Sequence, residues 1–142
     1  MGEKISEQTR TEWMEEVLKL AYARMKHLNE IFRLTREMAS ALERNDRVSA
    51  QMLIEMRGEE MESVASGLRK MHILEEQMPS EVRSEIRRLL SGILDGREDQ
   101  NAVRLAEIAR NCKSVLDQTI EIDRRMNKKV AGSDSYYATE RK

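Results

Sequence analysis

Two histidines, a single cysteine and several adjacent carboxylates are the residues of this 142-residue chain whose types could do chemistry. Their spacing argues against each use. A carboxylate-bridged metal site in a helical bundle takes Glu-x-x-His pairs, but the residues three before His27 and His72 are Arg24 and Arg69. Glu15-Glu16 and Glu59-Glu60 are sequence neighbours, and on a helix such neighbours point different ways and cannot converge on one substrate. The chain has no glycine-rich phosphate loop, no His-Glu-x-x-His and no serine elbow. Small helical enzymes can instead bury several cations between long helices, and only Arg57 occupies a suitable position here. The reading is therefore of a protein that is not an enzyme, with no catalytic, cofactor or metal residues. Cys112 lies on an apolar helix face, where a free cysteine behaves as a small hydrophobe. A lone cysteine forms no internal disulfide and suits a reducing cytoplasm.

Composition points to helices. The chain has one proline, six glycines and 4% aromatics, with 36% charged residues. Strands and β-turns draw on the residue types that are scarce here. A net charge of −1 gives no overall pull toward nucleic acid or an anionic membrane. No segment approaches the roughly 18 apolar residues of a membrane span, and no membrane insertion is expected. Met1-Gly2-Glu3-Lys4-Ile5-Ser6 lacks the apolar core of a secretory signal. It fits the short myristoylation pattern, which a turn glycine or a cloning remnant would equally satisfy.

The helices that must position any working surface are legible from periodicity. Met14, Leu18, Ala21, Met25, Leu28, Phe32, Thr35, Ala39 and Leu42 follow alternating steps of four and three. Such a stripe specifies a long helix lying almost parallel to its neighbours. It is expected to start near Thr9 or Thr11 and to run to about Arg44. Asn45-Asp46 supplies a break and a cap, and a second helix runs from about Arg47 to Gln77 as the return arm of an antiparallel hairpin. Within it, Gly58 and Gly67 mark either a close approach to another helix or a soft segment. Arg57 falls in the seam, its stem packed and its guanidinium reaching solvent or a carboxylate. Pro79 ends this helix. Ser80 caps a short third helix that closes at Asp95-Gly96, and Asp99 or Asn101 caps a long fourth helix reaching about Val130. The fold class is thus an all-α antiparallel bundle built on a helical hairpin. Residues 1–8 form a flexible N-terminus, 9–130 the single domain and 131–142 a flexible tail.

Two surface features stand out. There are ten methionines, nine beyond the initiator, mostly on the first two helices. Core filling accounts for most of them, and adaptable partner binding is the other use of such a surface. On the fourth helix, Ala102, Leu105, Ala106, Ala109, Cys112, Leu116 and Ile120 form a core stripe. Ile108, Val115, Ile122 and Met126 form a second stripe beside it. Either the third helix covers this extra face, or it is open to a partner helix or to a second copy of the chain.

A long helix closing on Leu42-Glu43-Arg44-Asn45-Asp46, a Leu53-Ile54-Glu55-Met56-Arg57 step, a final amphipathic helix and a tyrosine-bearing tail complete the pattern. Over residues 14–137 it resembles the FlgN-like flagellar export chaperones. The resemblance implies a cytoplasmic chaperone that binds amphipathic segments of hook–filament junction subunits and keeps them unassembled before type III secretion. The export gate or its ATPase would be a further partner. It would place the client on Ile108, Val115, Ile122 and Met126, and gate docking on Tyr136 or Tyr137. The family's tail tyrosine is often followed by glycine, and here Tyr137 is followed by Ala138. The alternative is a scaffolding coiled-coil protein that self-associates through its C-terminal helix; a tight, obligate oligomer fits that reading, and a monomer or weak homo-oligomer fits the chaperone.

Overall fold

In the computed structural model, which describes the backbone of residues 6–140 and side chains to Lys129, the elements are α1 (Glu7–Glu43), α2 (Arg47–Gln77), α3 (Ser80–Leu90) and α4 (Gln100–Glu140). The all-helical expectation holds. Helix α1 starts earlier than expected because Ser6 caps it, its hydroxyl accepting from the Thr9 amide at 3.1 Å. At the hairpin, Asn45 takes a left-handed φ of 56° and the Asp46 carboxylate accepts from the Ser49 amide. These are the two devices that turn a chain between helices at small cost.

Pro79, not Ser80, stands at the N-cap of α3, and it offers no side-chain cap. Arg83 ties this corner instead, donating to the carbonyls of Glu75 and Met78 at the end of α2. Helix α3 also stops before Asp95-Gly96. Gly92 adopts φ 77°, and its amide and that of Ile93 close on the Leu89 and Arg88 carbonyls. A Cβ there would lie 2.9 Å from the Arg110 side chain, whose Nε donates to the Gly92 carbonyl. Close approach and a positive φ both demand glycine at this turn. Asp99 caps α4 through the Ala102 amide, and the helical backbone continues past Val130 to Glu140. The flexible start expected for residues 1–8 and the Gly2 pattern fall largely on residues 1–5, outside the described residues.

Helix α1 is the spine. Arg10 near its start holds Asp99 at 2.8 Å, and Glu43 at its end meets Lys129 at 3.7 Å, so α1 and α4 run parallel. Helix α2 returns antiparallel, with His27 against Glu60 at 2.6 Å. Both α2 and α4 pack extensively on α1 but barely meet each other. Serving two partners requires more than one stripe. Val17, Ile31, Leu34, Met38 and Ala41 are therefore buried beside Met14, Leu18, Ala21, Leu28 and Thr35.

The core seams follow a step of 3.5 residues, in the manner of knobs packed into holes. On α4 the series Leu105, Ile108, Cys112, Val115, Thr119, Ile122 and Met126 faces inward, and every member is buried or half-buried. Ile120, assigned to the core stripe from sequence, is 44% exposed. Burial pushes the Cys112 thiol pKa up, consistent with an inert core side chain.

Candidate partner surface

The expected partner stripe on α4 is where the structure departs furthest from the sequence reading. Ile108 is 5% exposed and belongs to the main core, and Met126 is 9% exposed. Val115 packs against that core, and Ile122 is half-buried. These four are therefore bundle residues rather than a spare face. The physical reason is that the 3.5-residue period of parallel helices, not a straight 100° wheel, decides which side chains stay on the seam. The side chains of Tyr136 and Tyr137 lie outside the described residues, though their backbone is helical.

The spare apolar surface is on α2. Its inward series is Ala50, Leu53, Arg57, Glu60, Val64, Gly67, Met71, Leu74 and Met78, all buried or half-buried. Glu60 on one flank of that seam turns to α1 through His27, so the opposite flank turns toward α4. That flank carries Ile54, Met61 and Leu68, seven residues apart and 44, 51 and 45% exposed. Across the shallow groove, α4 contributes Ile120 and half-buried Leu116. Ile54, Met61 and Leu68 are among the apolar residues of α2, which composition alone does not sort between seam and surface. The seven-residue repeat that sets them on their own lane was available in the sequence, but nothing there showed that α4 stands too far from α2 to cover them.

Arg57 bridges the groove. Its Nη1 donates to the Asp123 carboxylate on α4 at 2.6 Å and to the Thr35 hydroxyl on α1 at 3.2 Å, while Thr35 donates to the Ile31 carbonyl. The expectation of a seam arginine reaching a carboxylate holds, and the pairing builds one polar layer across three helices. The two glycines of α2 make no close approach. A Cβ on Gly58 or Gly67 would meet nothing within 4 Å, which removes the first of the two readings offered for them. Gly67 borders a cavity of ≈ 380 Å³ between α1 and α2, lined also by Arg24, His27, Ser63 and Lys70. The Arg24 Nε is buried there without a hydrogen-bond partner.

A charged concavity of ≈ 510 Å³ lies at the base of the bundle among Arg10, Glu85, Arg88, Asp95, Glu98 and Asp99. The charges of these six residues are paired with one another, while Glu7 and Arg97 stand at its rim. Arg10 pairs with Glu85 and Asp99, and Arg88 pairs with Glu98 at 2.7 Å. Glu98 also accepts from the Asp95 and Gly96 amides, stapling the α3–α4 loop. Those amides, and then Arg88, hold the Glu98 carboxyl well below its usual range. The Ala102 amide and Arg10 do the same for Asp99. A carboxyl depressed in the folded state adds stability above its unfolded pKa, and that stability is lost as pH falls through the folded value. Melting temperature is accordingly expected to hold steady from pH 7 to about 4.5 and then to fall. The fall should be shallower in Glu98→Gln; an identical acid profile in that variant would show that the staple does not drive it.

Among the described residues, no three His, Cys, Asp or Glu side chains are grouped to hold a metal ion, and no helix is long and apolar enough to cross a membrane. Comparison with family models, curated proteins and solved structures finds no match to this chain.

Proposed function

We propose that this chain is a helix-capturing binding protein, an export-type chaperone of the kind the FlgN-like resemblance implies, with hook–filament junction subunits as its clients. The observation that carries the reading is the lane of Ile54, Met61 and Leu68 beside the open α2–α4 groove. A client's amphipathic helix laid there would bury its apolar face against α2 and Ile120 and complete a four-helix arrangement. The capture surface thereby moves from the last helix to the second, and methionine at its centre suits varied clients. Self-association through the inward series of α4 has no comparable exposed lane among the described side chains.

The test is titration of the full chain with peptides from the terminal segments of junction subunits. Met61→Asp with Leu68→Asp should weaken binding by at least about tenfold, because burying such side chains is worth roughly 1.5–3 kcal/mol each before ordering costs. Val48→Asp, exposed on α2 away from the lane, should leave binding unchanged. Undiminished binding by the folded double variant would sink the assignment.

A further inference from the structure

The cavity between α1 and α2 is cationic, in a chain whose net charge is −1. Arg24, Arg69 and Lys70 line it against a single carboxylate, Glu62, and Arg69 already holds that carboxylate at 3.1 Å. Glu60, one turn before Ser63, is held by His27 at 2.6 Å. Arg24 and Lys70 are left without a carboxylate partner among the described residues. Among those residues the Arg24 Nε is also the one buried side-chain nitrogen or oxygen with no hydrogen-bond partner. Burying such a donor is costly unless something accepts from it.

Helix register accounts for the space. The His27–Glu60 contact fixes the antiparallel pairing. One turn along, Arg24 comes level with Ser63, and one heptad along, Leu20 comes level with Gly67. Gly67 belongs to the inward series of α2, yet a Cβ there would meet nothing within 4 Å. A glycine inside a helix costs about 1 kcal/mol against alanine, and no close neighbour demands it here. Its effect is to keep the wall opposite Leu20 and Arg24 open.

We propose that this cavity binds a small phosphate monoester. The phosphoryl group sits on Arg24 and Lys70, and the organic body lies against Leu20 and Val64 in the room that Gly67 leaves. Two cations without partners match a group that carries about −1.5 to −2 charges near pH 7 better than they match one carboxylate. The Arg24 guanidinium offers a planar fork to two phosphoryl oxygens, and Lys70 adds a mobile point charge. The Ser66 hydroxyl, which also lines the cavity, supplies a donor for the third. A volume of ≈ 380 Å³ falls within the range of about 300–1,000 Å³ usual for small-ligand sites, and the apolar wall suits a body beyond the phosphate itself. Glu62 stays neutralised by Arg69 at the edge of the site. The cavity lies on the flank of α2 opposite the Ile54, Met61 and Leu68 lane, so the site and the client surface can fail independently.

The experiment is a ¹⁵N NMR titration of the full chain with phenyl phosphate, and separately with inorganic phosphate, benzoate and sodium chloride at matched ionic strength. Phenyl phosphate should shift the Arg24 Nε–H and Gly67 amide signals with a dissociation constant below about 1 mM. Inorganic phosphate and benzoate should each bind at least about tenfold more weakly, and chloride should leave both signals in place. Arg24→Met should weaken phenyl phosphate binding at least about tenfold. Gly67→Leu should do the same while raising the melting temperature, because its side chain enters open space and the helix loses a glycine. Arg33→Met, on an exposed part of α1 where Arg33 pairs with Glu30 and Glu37, should leave binding unchanged. No shift at about 10 mM phenyl phosphate overturns the site, and so does full binding by folded Arg24→Met protein. Equal affinity for inorganic phosphate overturns the organic body, and equal affinity for benzoate overturns the phosphoryl assignment. A Gly67→Leu variant that melts below wild type overturns the role given to that glycine.

Discussion

Ile108→Ala is expected to cost about 2–4 kcal/mol of unfolding free energy, as removal of a buried aliphatic side chain does when the cavity cannot fully collapse. Ile108 is packed with Leu105, Cys112 and the α1 residues of the main core. The other members of that core are themselves buried, so little can move in to fill the space. Urea denaturation followed by circular dichroism measures the effect, with an unchanged denaturant slope showing that the native state stays compact. The value decides between two roles for this residue. A partner-surface isoleucine would lose less than about 0.5 kcal/mol, as surface substitutions do, and that outcome would return the client site to α4.

The polar layer gives the second large effect, and its two ends should behave unequally. Asp123→Ala leaves the Arg57 guanidinium with only the Thr35 hydroxyl, inside a seam where its side chain is 18% exposed. A cost of about 1–2 kcal/mol is expected, below that of a fully buried pair because Asp123 is itself 32% exposed and water reaches it. Arg57→Met removes the cation and fills the seam with an unbranched apolar chain. Because the Asp123 carboxylate left behind is 32% exposed and can be hydrated, the cost should be smaller than that of Asp123→Ala and within about 1 kcal/mol of neutral. Denaturation of both single variants and of the double variant tests this. If Arg57→Met costs more than Asp123→Ala, the layer is a net stabiliser and the unpaired guanidinium is not the larger penalty. A stabilised Arg57→Met variant that binds client poorly would show that the layer sets the spacing of α2 and α4.

The comparison of these residues shows why the fold was easier to read than the site. Capping and turn signals act within a few residues, and Asp46, Asp99 and Pro79 terminate or begin helices where local chemistry requires. Gly92 was missed as the end of α3 because the competing signal, Asp95-Gly96, looks equally suitable in one dimension. What separates them is Arg110, 18 residues away, whose side chain packs against Gly92. The burial of the α4 stripe is hidden from the sequence for a related reason. A wide apolar face on α4 can mean a spare surface or a helix enclosed by two neighbours, and the sequence carries both patterns alike.

The sequence by itself determined an all-α chain, a hairpin turning at Asn45-Asp46, a seam arginine at position 57 and a long final helix. These follow from periodicity and short-range hydrogen bonding, which a linear chain contains in full. Tertiary structure decided which apolar lanes are covered. It set α4 parallel to α1 and away from α2, so that Ile108 and Met126 went inside and Ile54, Met61 and Leu68 stayed at the surface. Burial is a property of the distance between helices, and that distance is fixed by contacts among residues far apart in the chain.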